Sequence, residues 1–358
     1  MNPVATEPTR VSGGGVERLG YVPALDGLRG IAILAVTGLH FVGLQGGFYG
    51  VDLFFVLSGF LITTLLLEEH DRGRAISLRS FYIRRARRLL PAVGALLIVY
   101  VSFGVLAHRS GRALVLAAEG GTYVANFVRA FAHPDPLPGT PLNVLWSLAQ
   151  EEQFYLVWPL LLIVILRSRV RAERVVRILC VFFLALVAYR VGLAAAGASW
   201  HRIYFAPDSH ADGLVAGTLL AYLRRRGVRV PTVVAVLAPV AFLVATVIGA
   251  ETIAWSVFGL PVVEAAAAIL VLSALESGYL ASALSLRPLV WVGTISYSLY
   301  VWGHFGTWLA PGESERWLGF ALTVAFGLAS YYLIERPFRA GRSGRLKPAA
   351  APSPVGAV

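Results

Sequence analysis

Residues 26–40 read Asp26-Gly27-Leu28-Arg29-Gly30-Ile31-Ala32-Ile33-Leu34-Ala35-Val36-Thr37-Gly38-Leu39-His40, and this stretch decides the class of fold. It is apolar enough to form a helix that crosses a bilayer, yet Arg29 stands near its start and His40 at its end. A charged group at the centre of a membrane helix costs about 2.5–3.5 kcal/mol, so such groups are read as functional by default. Arg29 and His40 are eleven residues apart. At about 100° per residue that is roughly three turns plus 20°, which puts both on one face about 16 Å apart. One end can hold an anion while the other handles a proton.

The composition supports a membrane setting. Of 358 residues, 57% are hydrophobic and 14% charged, where soluble domains run nearer a quarter charged. The formal charge of +11 is nearly all arginine, with Lys347 the only lysine. The arginines cluster in short segments between apolar runs, which is the positive-inside pattern rather than a nucleic-acid surface. Nucleic acid is therefore not an expected partner; the lipid bilayer is. Cys180 is the only cysteine. It excludes an intramolecular disulfide framework and a thiolate metal cluster, and in an apolar run it reads as a small buried hydrophobe.

The runs organise into an all-α polytopic bundle of about ten transmembrane helices. Residues 1–20 read as a flexible cytoplasmic leader with no cleavable signal, so the first span serves as the insertion signal. Spans are expected at 25–43, 49–67, 89–107, 151–166, 176–196, 211–223, 230–250, 257–275, 288–309 and 317–334. The basic segment with Arg72, Arg74, Arg79, Arg84, Arg85, Arg87 and Arg88 is placed inside, which sets both termini in the cytoplasm and the chain in the plasma (inner) membrane. Residues 112–131 are only moderately apolar and hold Glu119, Gly120, Gly121, Asn126 and Arg129. Counting them as a span would push the arginines of 167–177 outside, so 112–150 is read as an outer-face segment, partly helical. The membrane domain is assigned to 21–339 and the tail 340–358 is expected to be disordered.

Polar groups segregate across this topology. Arg29, Arg84, Arg85 and Arg88 lie toward the cytoplasmic side. His40, Asp52, Glu151, Glu152, His210, Asp212 and His304 lie toward the outer ends of their spans. His40 is the leading proton-transfer candidate, because a neutral imidazole is a competent base. A core histidine bonded to a carbonyl is the plainer alternative, and Arg29 on the same face favours function. The 84–88 run sets topology in any case, while Arg85 and Arg88, three apart at a helix start, could also bind phosphate. Glu151 and Glu152 could simply be favourable acids at a helix N-terminus. The same holds for Asp52, which could alternatively orient a histidine. No Walker motif, HExxH or dinucleotide fingerprint is present, and no metal is expected.

These residues carry a family resemblance. In order along about 21–339 stand the Arg29-to-His40 spacing and Gly50-Val51-Asp52-Leu53-Phe54-Phe55-Val56-Leu57-Ser58-Gly59-Phe60. Phe81 through Arg84-Arg85-Ala86-Arg87-Arg88 to Pro91 follows, then Trp146-Ser147-Leu148 with Glu151 and Phe154-Tyr155. Ile295-Ser296-Tyr297-Ser298-Leu299-Tyr300 and Glu335-Arg336-Pro337-Phe338 close the series. The chain resembles the acyltransferase 3 family of integral membrane acyltransferases, which modify surface glycans, peptidoglycan and some macrolides. The resemblance implies transfer of an acyl group, commonly acetyl, from acyl-coenzyme A to a hydroxyl of a carbohydrate-like acceptor. It implies His40 as the essential catalytic residue, Arg29 in the same site, Arg85 and Arg88 as the cytoplasmic donor-binding pair and Glu151 in the tryptophan-to-glutamate motif; Asp52 joins the catalytic candidates, and Arg29 and Arg84 the donor-binding ones. His210, Asp212 and Trp146 are the acceptor-side candidates.

Two departures stand out. The family usually has a histidine directly after the tryptophan that follows the Ser-Tyr-Ser-Leu-Tyr run. Here Trp302-Gly303-His304 displaces it by one residue, about 100° around a continuous helix, so no role is expected for His304. His210 replaces a frequent arginine, which bears on acceptor recognition. The esterase-like soluble domain fused to some members is not seen, so action alone or with a separate partner is expected. Competing readings are acylation of a small glycosylated metabolite such as a macrolide, and a secondary transporter. Transporters usually carry paired internal repeats, and none is evident.

Overall fold

The computed structural model describes residues 18–340, apart from 74, 133–138 and 277. The expected leader up to residue 17, Arg74 and the tail from 341 lie outside the described residues. No strand occurs among the described residues. The helices used below are α1 (Pro23–Val42), α2 (Tyr49–Asp71), α3 (Leu78–Leu106), α4 (Ser110–Gly121), α5 (Ala125–Phe131), α6 (Leu145–Arg167) and α7 (Ala172–Ala195). They continue with α8 (Asp212–Arg225), α9 (Thr232–Ile248), α10 (Leu260–Leu275), α11 (Arg287–Val301), α12 (Gly303–Leu309) and α13 (Arg316–Ala329).

Local chemistry sets several boundaries. Pro23 opens α1, where its missing N–H is no loss. Gly43 closes it at φ 75°, donating its N–H to the Gly38 carbonyl. Ser77 caps α3 by accepting from Ser80 N–H. Seven stretches among the described residues are long and apolar enough to cross a membrane, on length and composition. The other three expected spans fall on shorter helices, α8 with 14 residues, α9 with 17 and α11 with 15.

Three expectations change. α3 begins at Leu78, eleven residues before the expected span, so Arg84–Arg88 occupy helix rather than loop. α6 begins at Leu145, so Glu151 and Glu152 sit in its second turn and do not cap it. The expected span 288–309 is interrupted at Trp302, which separates α11 from α12. Residues 110–131 form two short helices, α4 and α5, neither long enough to span.

α2 is the central element, with 78% of its apolar window buried inside the protein, against 17% for α7. The outward side chains of α7 and α9, including Val181, Leu184, Val236 and Leu243, are large apolar groups, as lipid-facing surfaces require. The interior is held by close backbone approaches. α1 packs most extensively on α11, and α2 on α8. A Cβ on Gly293 of α11 would collide with the Asp26 carbonyl of α1, and one on Gly30 with the Leu289 carbonyl. Gly59 and Gly217 meet the opposing backbone of α8 and α2 in the same way. In lipid, where tails are as apolar as leucine, such small-residue contacts supply the packing that holds helices together.

Gly293→Leu is therefore expected to force α1 and α11 apart and to destabilise the bundle by about 1–3 kcal/mol. The control is Gly192→Leu, where an added Cβ meets nothing. Melting temperatures of the detergent-solubilised proteins compare the two; equal values would contradict the crossing.

Candidate active site

A cavity of about 310 Å³ opens beside the N-terminal end of α1 and runs along α2. Its α2 wall extends from Leu65 to Val51, fourteen residues or about 21 Å of helix rise. Leu19, Gly20, Tyr21 and Val22 form its mouth, and the Leu19 N–H anchors this approach by donating to Glu68 Oε1 at 2.6 Å. Arg29, Arg85 and Arg88 line the same end. Arg29 pairs with Asp26 at 2.8 Å. The Arg85 guanidinium lies 3.2 Å over the Tyr155 ring, and its Nε stands 3.7 Å from Glu152. The buried Nε of Arg88 has no hydrogen-bond partner. Arg84 is outside this cavity and lines an adjoining groove with Arg72, Glu68 and Phe81, which Arg85 and Arg88 also border. The arginines thus form one continuous basic mouth.

Glu151 occupies the middle of the cavity wall. Ser58 donates to one of its carboxylate oxygens at 3.2 Å and Tyr155 to the other at 2.8 Å. Two sequence motifs therefore meet on one carboxylate: Ser58 from the α2 run and Tyr155 from the α6 run. A third is explained nearby. Glu335 accepts from Ser298 of α11 at 2.9 Å and pairs with Arg339 at 3.0 Å, which ties the end of the chain to the helix bearing the Ser-Tyr-Ser-Leu-Tyr run.

At the far end the cavity is floored by Ser147 and Tyr300, whose hydroxyls are 2.5 Å apart. Four residues before Ser147 is Asn143, and four residues after Tyr300 is His304. These two also meet, the Asn143 amide donating to His304 Nε2 at 3.4 Å. His304 in turn stands edge to face with His40, ring centroids 4.2 Å apart. The expectation of no role for His304 assumed an unbroken helix. The break at Trp302 takes up the extra residue and returns His304 to His40.

Asp52, His210, Asp212 and Trp146 behave differently. Asp52 faces a histidine, but it is His210 rather than His40: His210 Nε2 lies 2.7 Å from Asp52, and Nδ1 2.5 Å from the Tyr204 carbonyl. Asp212 accepts two hydrogen bonds from Arg190, at 2.6 and 3.2 Å. Asp52, His210, Asp212 and Arg190 have zero exposure. Trp146 packs against Phe55, Tyr204, Phe205 and His210. None of Asp52, Trp146, His210 and Asp212 lines the cavity, so the expected acceptor contacts of His210, Asp212 and Trp146 are not made by open side chains here. Burial is the reason: each is already committed to a protein partner. Glu264 completes this cluster, with a carboxylate oxygen within 4.8 Å of Asp52 and His210 ligand atoms. That spacing is also one a cation could use, and here Arg190 brings a positive charge to the cluster while Asp52 and His210 bond each other directly.

Sequence reading missed Arg190 and Glu264, though each is a charged residue inside an apolar run and so carried the same signal as Arg29. It also missed Asn143, Ser147 and Tyr300 as a set, since nothing in their spacing along the chain links them.

Removing one partner of a buried pair leaves an uncompensated charge, at about 3–5 kcal/mol. Arg190→Met is accordingly expected to lower thermal stability strongly, and Arg190→Met combined with Asp212→Leu to regain most of it, as measured by thermal unfolding in detergent.

Comparison with known proteins converges on one assignment. Residues 22–336 match the family described as acyltransferase domain. The chain is 33% identical over 351 residues to the peptidoglycan O-acetyltransferase OatA of Listeria monocytogenes, covering 89% of this chain and 56% of that protein. It is 33% identical over 361 residues to YrhL of Bacillus subtilis, provisionally named a peptidoglycan O-acetyltransferase, covering 89% and 55%. A provisionally named O-acetyltransferase of Staphylococcus aureus is 32% identical over 355 residues, covering 90% and 58%. The chain thus spans a little over half the length of these curated relatives. No solved structure matches. The chain belongs to the acyltransferase 3 family of membrane acyltransferases.

Proposed function

We propose that this chain transfers an acetyl group from acetyl-coenzyme A to a hydroxyl of a cell-envelope glycan, with the arginine mouth on the cytoplasmic side. The observation that carries the reading is one cavity with three arginines at its mouth and Tyr300 at its floor, four residues before His304, which packs on His40 just outside the cavity lining. The names of the relatives favour O-acetylation of peptidoglycan or a similar polymer as the acceptor chemistry.

In this reading Arg29, Arg85 and Arg88 hold the donor's phosphates, because guanidinium groups bind such oxygens through paired, charge-assisted hydrogen bonds. Arg84, in the adjoining groove, extends the same positive field. The extended pantetheine arm follows the α2 wall past Glu151 toward the floor. Glu151, held by Ser58 and Tyr155, offsets part of the repulsion among the arginines of the mouth. His40 takes the proton from the acceptor hydroxyl as its oxygen attacks the thioester carbon. The carbon–sulfur bond then breaks, and the same proton passes to the departing coenzyme A thiolate. His304, set by Asn143, packs on the His40 ring and fixes its orientation. Proton transfer of this kind contributes about 10²–10⁴-fold, and holding both reactants in register supplies much of the rest.

Radiolabelled acetyl-coenzyme A supplied to membranes containing matched amounts of protein tests this. Label is expected to reach a glycan fraction with the wild type and to fall by about 10²-fold or more with His40→Ala. Arg88→Ala is expected to raise KM for the donor by about 10-fold, the loss of one charge-assisted contact, with kcat little changed. Equal label from wild type and His40→Ala would remove His40 from the chemistry.

A further inference from the structure

Acyl transfer needs more than a base. When the acceptor oxygen adds to the thioester carbon, the carbonyl oxygen gains a full negative charge, and in an apolar interior that charge requires a fixed donor. We infer that the Tyr300 hydroxyl is that donor, with Ser147 as its positioning partner. The inference rests on the acyl-transfer reading above and adds a catalytic residue to it.

Elimination among the hydroxyls of the cavity comes first. Tyr155 and Ser58 both donate to Glu151. Tyr297 donates to the Leu89 carbonyl at 2.7 Å. Tyr21 sits at the mouth and Ser296 a turn nearer the arginines than Tyr300. Ser147 and Tyr300 remain, 3% and 8% exposed, at the floor.

Their mutual geometry supplies the switchable proton that the chemistry needs. Either hydroxyl can be the donor in the 2.5 Å contact. Ser147 also lies 3.3 Å from the Val144 carbonyl, to which it can donate. If Ser147 gives its proton to Val144, Tyr300 donates to Ser147 and the cavity floor offers nothing. If Ser147 turns its proton to the Tyr300 oxygen, the phenol proton is released into the cavity, and a hydrogen bond received by the phenol makes it a stronger donor. A rotation of one serine hydroxyl therefore moves a donor into the cavity without moving any heavy atom.

Position agrees. Tyr300 lies seven residues beyond Gly293, where α11 touches the Asp26 backbone, about 10 Å deeper along a parallel helix. It is four residues before His304, just ahead of the break at Trp302 that turns His304 onto His40. A thioester whose carbonyl oxygen meets Tyr300 thus stands between the arginine mouth and the base. The step balances: the acceptor oxygen bonds to carbon, its proton goes to His40, the oxyanion accepts from Tyr300, and the thiolate leaves with the proton His40 returns. Tyr300 keeps its own proton throughout.

The experiment compares wild type, Tyr300→Phe, Ser147→Ala and His40→Ala in detergent or nanodiscs, with kcat and donor KM measured separately. Tyr300→Phe is expected to lose about 10²–10³-fold in kcat, the usual loss for one oxyanion donor, with KM for acetyl-coenzyme A unchanged. Ser147→Ala is expected to lose less. As a shape-preserving variant, 3,5-difluorotyrosine at position 300 acidifies the phenol and is expected to change kcat, again without KM. An unchanged kcat in Tyr300→Phe and in the fluorinated protein, beside a dead His40→Ala, overturns this inference alone. A raised KM with intact kcat also overturns it, since the hydroxyl then serves binding. A wild type that transfers no acetyl group, or a fully active His40→Ala, instead overturns the underlying reading.

Discussion

Two parallel helices that touch backbone to backbone set the geometry on which the rest depends. Gly30 of α1 and Gly293 of α11 leave no room for a side chain between the two helices, and Gly27 is held as closely by the Leu284 carbonyl just before α11. That closeness fixes the register in which α1 and α11 advance together. Ten or eleven residues further on, that register together with the break at Trp302 places His40 against His304. At the near end it leaves Arg29 facing the cavity mouth beside Arg85 and Arg88. A single crossing therefore aligns the basic end and the imidazole end of the site, and a shift there would move both.

The second constraint is the handling of charge in an apolar medium. Two sets of ionisable groups in the described interior stand apart. Asp52, His210, Asp212 and Arg190 are fully enclosed and directly paired with one another, and Glu264 is enclosed beside them. That is the arrangement expected of groups whose work is to join α2, α7, α8 and α10. Breaking one member of such a network is costly, while its presence specifies one packing of the helices. The other set, Arg29, Arg85, Arg88, Glu151 and Glu152, borders open space. Its members hold longer contacts with each other, such as the 3.7 Å approach of Arg85 to Glu152, while facing a space a ligand can enter.

Much of this was legible in the chain. The helical membrane class followed from composition and from apolar runs, and the arginine-to-histidine spacing in 29–40 correctly put both groups along one helix. The motif order was enough to identify the family. What escaped the sequence was of a different kind. The span was expected from 89 with Arg85 and Arg88 at the helix start, whereas the helix opens a further turn and more upstream at Leu78, capped by Ser77, because arginine is a good helix former. His304 was set aside because periodicity assumes an unbroken helix, and the turn at Trp302 was not signalled by a proline or a positive-φ glycine. Asp52 was expected near the catalytic histidine, but its partner is 158 residues away at His210, a pairing that only tertiary packing decides. The Ser147–Tyr300 contact bridges 153 residues for the same reason.

In the proposed reaction one elongated cavity carries the donor from the arginines to the Ser147–Tyr300 floor, beside the imidazoles. The most direct measurement is a cryo-EM structure of the chain in lipid nanodiscs with an unreactive acetyl-coenzyme A analogue, its thioester sulfur replaced by a methylene. Phosphates are expected against Arg29, Arg85 and Arg88, the arm along α2, and the acyl carbonyl at Tyr300 on the side of His40 and His304. An acyl group left outside the mouth, or a nucleotide bound away from the three arginines, would contradict this placement.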